Sequence, residues 1–178
     1  TVASRPYPFC LAAPVGDDAP ALGRCDDYLA EWKWDGIRAQ LIRREGQVFL
    51  WSRGEELLEG RFPDIEAAAM ALPDGQVLDG EIVAWREGVR PFAELQRRIN
   101  KRKPGMRLLR EVPVVYLAYD LLEAEGHDLR EAPLRERRAR LEALLQDQAG
   151  IRLSPPISAA DWPSLAALRA DARGRGVE

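Results

Sequence analysis

Hydrophobic and polar positions follow two periods along this chain. Ile37–Arg43 and Gln47–Arg53 alternate with a period of two on either side of Glu45-Gly46, which predicts a β-hairpin. Residues 28–35 alternate as well. Gln76–Trp85 puts Leu78, Ile82 and Ala84 on one face and Asp79, Glu81 and Val83 on the other. Val112–Tyr119 is almost wholly apolar and rich in β-branched residues, so it reads as a strand buried on both faces, with Asp120 ending it. Helical spacing takes over elsewhere. Phe62–Leu72 has Pro63 at its start and Pro73 beyond its end; Pro91 opens a helix carrying Phe92, Leu95 and Ile99. After Pro133, residues Leu134, Arg138, Leu141 and Leu145 form one stripe. Asp161 is a good N-cap for a last helix to Ala172, ended by Gly174. Residues 1–27, rich in Pro, Gly and Asp, predict an extended segment packing on the domain. Hairpin turns outnumber crossovers, which predicts an α+β fold of antiparallel sheets flanked by helices. Both G-x-G-x-x-G and G-x-x-x-x-G-K-[ST] are missing, so a nucleotide would have to be held by other means.

Composition narrows the function classes. With 178 residues, 46% hydrophobic and 31% charged, the chain suits one soluble domain with a full core. It contains neither an apolar run of membrane-span length nor a signal-peptide pattern. Cys10 and Cys25 lack a C-x-x-C spacing, which argues for a reducing, cytoplasmic setting and against zinc. The single histidine, His127, lies in a turn-like stretch and reads as a loop residue. A net charge of −3 argues against binding nucleic acid by bulk charge. Two basic clusters stand out, Arg97, Arg98, Lys101, Arg102, Lys103 and Arg107, and Arg135, Arg137, Arg138 and Arg140. Each can be a solvated helix face or a phosphate-facing surface. The start at Thr1 and the stop at Val177-Glu178 read as a piece of a longer protein.

Candidate chemistry concentrates in Glu31-Trp32-Lys33-Trp34-Asp35-Gly36-Ile37-Arg38. As a strand it places Glu31, Lys33 and Asp35 on one face, with Trp32 and Trp34 on the other to anchor it in a core. One amine then stands between two carboxylates, and Gly36 lets the backbone turn sharply afterwards.

Lys33-Trp34-Asp35-Gly36 fits K-x-D-G and resembles motif I of the covalent nucleotidyltransferases, the DNA ligases, RNA ligases and capping enzymes. Further motifs follow in that family's order. Ser52-Arg53 resembles its S-R; Leu78-Asp79-Gly80-Glu81-Ile82-Val83 resembles motif III; Tyr116–Leu121 resembles motif IIIa; Val177-Glu178 resembles the opening of motif IV. Arg38, the predicted helix Phe92–Lys101 and Pro133-Leu134-Arg135 look most like ATP-dependent DNA ligases of the bacterial and archaeal kind. The alternatives are an RNA ligase or capping-type enzyme or, from a different class, a non-catalytic nucleic-acid-binding module using the Arg97–Arg107 cluster.

The resemblance implies a nucleotidyltransferase (ATP-grasp-like) adenylation domain over residues 28–178, incomplete at its C-terminus. Motif V, K-x-K, and the OB-fold domain would lie beyond Glu178, so the piece by itself is expected to be impaired in autoadenylation and nick sealing. By resemblance, Lys33 attacks the α-phosphate of ATP to give a lysyl-AMP, which passes to the 5′-phosphate of nicked duplex DNA. Glu31 would lie at the adenine and Tyr119 would stack on it. Arg38 and Arg53 would contact ribose and phosphates, and Glu81 the ribose hydroxyl or Mg²⁺. Glu178 would bind the metal. A monomer is expected. A lysine of ordinary pKa, about 10.4, is almost wholly protonated at neutral pH. Nearby cations, Mg²⁺ included, must therefore outweigh Glu31 and Asp35 before Lys33 reacts.

Overall fold

The computed structural model describes residues 2–172 and 175–177. Its centre is a six-stranded sheet built on β2 (Ile37–Arg44), β3 (Gln47–Ser52), β4 (Gln76–Ala84) and β5 (Val114–Ala124). The path runs β3-β2-β4-β5-β6, where β6 is His127–Asp128, and β7 (Ile151–Leu153) also pairs with β5. All pairings are antiparallel except β5 with β7, which is parallel. A separate two-stranded ladder joins β1 (Ala30–Glu31) to β8 (Pro156–Ile157).

Local sequence explains the hairpins. Glu45 and Gly46 both take positive φ, the geometry of a tight turn that follows the strand twist, and Glu125-Gly126 repeats it between β5 and β6. Every residue of β4 is buried, because both faces of the sheet are covered. On one face α1 (Pro63–Ala69), α2 (Phe92–Ile99) and α4 (Leu134–Leu145) enclose the main core, which includes Leu41, Phe62, Leu78, Tyr116 and Leu141. On the other, Val83, Val115 and Leu117 lie under Trp34, Trp85 and Val89. Fully burying each such large apolar side chain stabilises by about 1.5–3 kcal/mol.

Several expectations need correction. The stretch 28–35 is not one strand: Glu31 pairs with Pro156, whereas Trp34 bridges Val177. Its backbone changes partner midway, so the ladder is broken. Both tryptophans are half-buried; Trp34 anchors the segment on the smaller core of Val83, Val115 and Leu117, as expected, and not on the main one. Asp120 does not end β5, which runs on to Ala124; instead the register slips beside it. An extra helix, α3 (Met106–Glu111), occupies the stretch after Gly105. His127 lies in β6, paired with Ala124, and not in a loop. The final helix, α5 (Trp162–Ala170), begins as expected, with the Asp161 carboxylate accepting from the Ser164 N–H at 2.8 Å. The expected end at Gly174 lies outside the described residues.

The basic clusters divide: several members are tied to carboxylates, whereas Lys101, Arg102, Lys103, Arg135 and Arg140 are exposed. Arg98 is fully buried and donates to both Asp64 oxygens (2.9 and 3.1 Å) and to Val112 O (2.8 Å). Arg97 and Arg107 pair with Glu111. Arg137 grips Asp120 through two bonds, at 2.9 and 3.0 Å. The N-terminal segment packs on the sheet. The Tyr7 N–H donates to Gln40 Oε1, and its hydroxyl to Glu123 at 2.6 Å. Two short 3-10 turns, Ala19–Leu22 and Cys25–Asp27, interrupt the otherwise extended run.

Candidate active site

The face of β4 and β5 away from the main helices carries the chemistry. Arg38 on β2 stands opposite Glu81 on β4. Its guanidinium forks onto Asp79, with Nε and Nη2 donating at 3.2 and 2.7 Å, and Nη1 donates to Cys10 O at 2.6 Å. Asp79 is therefore the residue that aims Arg38, a role that the motif pattern alone did not assign to it.

Glycine sets how closely the motif I segment lies on β4. A Cβ on Gly36 would collide with the carbonyl oxygen of Ile82 and press on the side chains of Glu81 and Val83. The backbone bends at Asp35-Gly36 just before β2, as expected; the φ of Gly36 is not positive, so the missing side chain serves the close approach. The Gly36 N–H favours the charged form of the Glu81 carboxylate. Gly80 does the same between β4 and β5: a Cβ there would strike Leu117 O and the Tyr116 ring.

Tyr119 owes its position to a β-bulge. Gly80 pairs with Ala118 and Asp79 with Asp120, which leaves Tyr119 as the extra residue. Bulges re-aim a side chain, and here the Tyr119 hydroxyl donates to Glu81 Oε2 at 3.0 Å. Burial pushes the Glu81 carboxyl up from 4.5 to about 7, against the opposing pull of Tyr119, Arg38 and Gly36. Burial and the neighbouring Glu81 raise the Tyr119 hydroxyl well above its ordinary value.

Glu31 joins this group through an arginine that the sequence pattern placed only on a helix stripe. Arg138, buried on α4, donates from Nη1 to Glu31 Oε1 and to Tyr119 O, both at 2.8 Å, and from Nη2 to Ser154 O. The signal was available: an arginine inside an apolar helix stripe must find buried acceptors. Ser154 Oγ in turn accepts the Trp34 indole N–H at 2.9 Å.

The structure thus gathers Glu31, Arg38, Glu81 and Tyr119 into one connected cluster. Lys33 is exposed, two residues from Glu31 and three from Gly36, both of which are tied into the cluster. Among the described residues Arg53 joins through its backbone, its N–H donating to Arg38 O at 3.0 Å, while its side chain is exposed. Glu178 lies outside the described residues. The residues before it run beside the lysine segment: Val177 bridges Trp34, and Asp35 N–H donates to Gly176 O at 3.1 Å. On the tryptophan side of that segment a cleft of about 610 Å³ is lined by Trp32, Trp34 and Trp85, with Arg175 and Arg152 stacked on Trp32 and Trp85 respectively. No group of three or more metal-ligating side chains forms among the described residues. A magnesium ion is commonly held by one or two carboxylates plus substrate phosphates, and Glu81 on this face fits that sparser arrangement.

Fold and face together define a class: an α+β domain whose curled antiparallel sheet presents a carboxylate–arginine–tyrosine cluster beside a lysine-bearing segment. Comparison with known proteins supplies the family. The model of the ATP dependent DNA ligase domain matches residues 10–178, and the chain belongs to that family. A probable DNA ligase of Opitutus terrae is 47% identical over 147 residues, covering 81% of this chain and 14% of that protein. A DNA ligase of Haloferax volcanii is 38% identical over 172 residues, covering 94% of this chain and 29% of its own. Among solved structures, mycobacterial DNA ligase D complexed with ATP and MES superposes with a TM-score of 0.67 at 28% identity, over 83% of this chain and 46% of that one. The chain therefore spans less than half the length of these relatives. No helix among the described residues is long and apolar enough to cross a membrane.

Proposed function

We propose that this chain is the nucleotide-accepting portion of an ATP-dependent DNA ligase and that Lys33 is its nucleophile. The Nζ lone pair attacks the α-phosphorus of ATP, the bond to the β-phosphate oxygen breaks, and pyrophosphate leaves with those electrons. The resulting lysyl-AMP hands its AMP to the 5′-phosphate at a nick in duplex DNA. The 3′-hydroxyl then displaces AMP and seals the strand. Each transfer is in-line, so positioning and fixed charge carry most of the catalysis.

The observation that carries this reading is the connected cluster of Glu31, Arg38, Glu81 and Tyr119 beside Lys33, in a chain of the DNA ligase family. Tyr119 offers a flat face for the adenine, and Glu31 an acceptor for its exocyclic amine. Arg38, held on Asp79, presents fixed positive charge, with Arg53 in the turn just after the neighbouring strand β3. Glu81 accepts from a ribose hydroxyl or, with Glu178, helps hold a Mg²⁺ that neutralises phosphate charge. Arg98, Arg137 and Arg138 are spent on internal carboxylates, so these three do not serve a purely nucleic-acid-binding module.

The test is incubation of the full-length protein with α-labelled ATP and Mg²⁺. A label that survives denaturation and vanishes in Lys33→Ala supports the nucleophile; one that persists in Lys33→Ala rejects it.

A further inference from the structure

We propose that Arg138 is a positioning residue that keeps Glu31 an ionised, acceptor-only group and thereby selects a 6-amino over a 6-oxo purine. The inference rests on the reading that Glu31 meets the base, and it adds the residue that governs the selection.

Arg138 is only 6% exposed, and its guanidinium spans three segments of the chain. It binds Glu31 ahead of the lysine, the carbonyl of the bulged Tyr119, and Ser154 O at the end of β7. Ser154 also accepts from the Trp34 indole, so one buried cation fixes both sides of the lysine segment. A guanidinium offers donors only, in a rigid plane, which pins one Glu31 oxygen and leaves the other for a ligand.

Charges reach Glu31 from each packed element. From α4 come Arg138 and, 4.0 Å from Arg138 Nε, Glu142. From β5 come Tyr119 and Asp120, the latter already gripped by Arg137. From β8 the residue opposite is Pro156, which does not titrate. On its own segment Lys33 is two residues away. Burial pushes the Glu31 carboxyl up, the charge and hydrogen bond of Arg138 pull it down, and Asp120 pushes it up, with a net rise above the ordinary value that Arg138 holds in check. Arg138 is thus the main group opposing protonation.

The chemistry of selection follows. An ionised carboxylate can only accept, so it pairs with the amine of adenine and repels the carbonyl of guanine. A protonated Glu31 can donate to that carbonyl and loses the distinction. Replacing Arg138 by a neutral residue should therefore erode selection on the acid side and leave it intact at alkaline pH.

The experiment measures initial rates of lysyl-nucleotide formation from α-labelled ATP and α-labelled GTP, from pH 6 to 8.5, in the full-length protein. Wild type should hold a nearly constant ATP-to-GTP ratio. Arg138→Gln, which keeps amide donors, should lose about tenfold of that ratio at pH 6 relative to pH 8.5, within the range one polar contact commands. Arg138→Lys restores the charge and should restore the flat profile. Loss of rate in Arg138→Gln with an unchanged ratio at every pH would overturn the proposal, since a purely structural role predicts that result. So would a wild-type ratio that already falls through neutral pH, a result that does not depend on any variant folding. Glu31→Gln separates the two layers. If it leaves the ratio untouched, the contact between Glu31 and the base is wrong; if it lowers the ratio at all pH values while Arg138→Gln has no effect, only the assignment of Arg138 falls.

Discussion

At Glu81 the surroundings oppose one another. Burial disfavours the charged carboxylate, while the Tyr119 hydroxyl, Arg38 and the Gly36 N–H favour it, and the balance leaves the group titrating at about 7. Folding therefore takes up a proton between 4.5 and about 7, so Glu81 makes the protein less stable as pH rises through that window. The displacement corresponds to about 3 kcal/mol at most, and less where the partly accessible face admits water. Glu81→Gln should accordingly raise the melting temperature at pH 8 by several degrees while abolishing lysyl-AMP formation; thermal scans at pH 5 and pH 8 check it, with the gain confined to pH 8. Tyr119→Phe removes one of the groups favouring the charged form, so the acid limb of the adenylation rate should move to higher pH with ATP affinity little changed. Tyr119→Ala should further weaken ATP binding by about 1–3 kcal/mol, the worth of a base–aromatic stack, measurable by titration calorimetry. Equal affinity losses in the two variants would show that the hydroxyl matters and the stack does not.

Among the elements, β4 is the least tolerant of change. Its glycine lets β5 come close enough for the bulge that delivers Tyr119 to Glu81. Gly80→Ala puts a methyl against backbone that cannot yield cheaply, and should destabilise by about 3 kcal/mol in urea titrations. Gly36→Ala should do the same from the other side and also displace the lysine segment. The buried pair of α2 and α1 behaves asymmetrically. Arg98 has no solvent exposure, whereas the Asp64 side chain keeps 30%. Asp64→Ala strands a buried cation, but Arg98→Met leaves a carboxylate that water can reach. The urea midpoint should therefore fall further for Asp64→Ala than for Arg98→Met.

Over the whole molecule, the N-terminal segment acts as a strap on the sheet. Tyr7 bonds Gln40 and Glu123, Trp51 donates to Ser4 O, and Cys10 O receives Arg38. Glu123 is buried and shared with Arg44, so Tyr7→Phe should cost about 1–3 kcal/mol, as loss of a bond to a charged group does. Removing residues 1–10 should cost more and should raise the KM for ATP, because Arg38 loses the carbonyl that helps hold it; steady-state kinetics of the shortened protein measures this.

Local features were legible without the fold. Glu45-Gly46 between alternating strands, proline-opened helices and the Asp161 cap involve groups a few residues apart, so propensity and turn geometry decide them. The order of K-x-D-G, S-R, D-G-E and Tyr-Asp likewise pointed to the family before any strand was paired. What only the tertiary structure decided are choices of partner across long separations. Residues 28–35 split between β8 and Val177, Gly36 proved to be a point of contact, and a bulge aimed Tyr119. Glu31 found Arg138 at a separation of 107 residues. The reason is physical: a charged side chain takes whichever opposite group is desolvated beside it, and sheet packing alone determines which group that is.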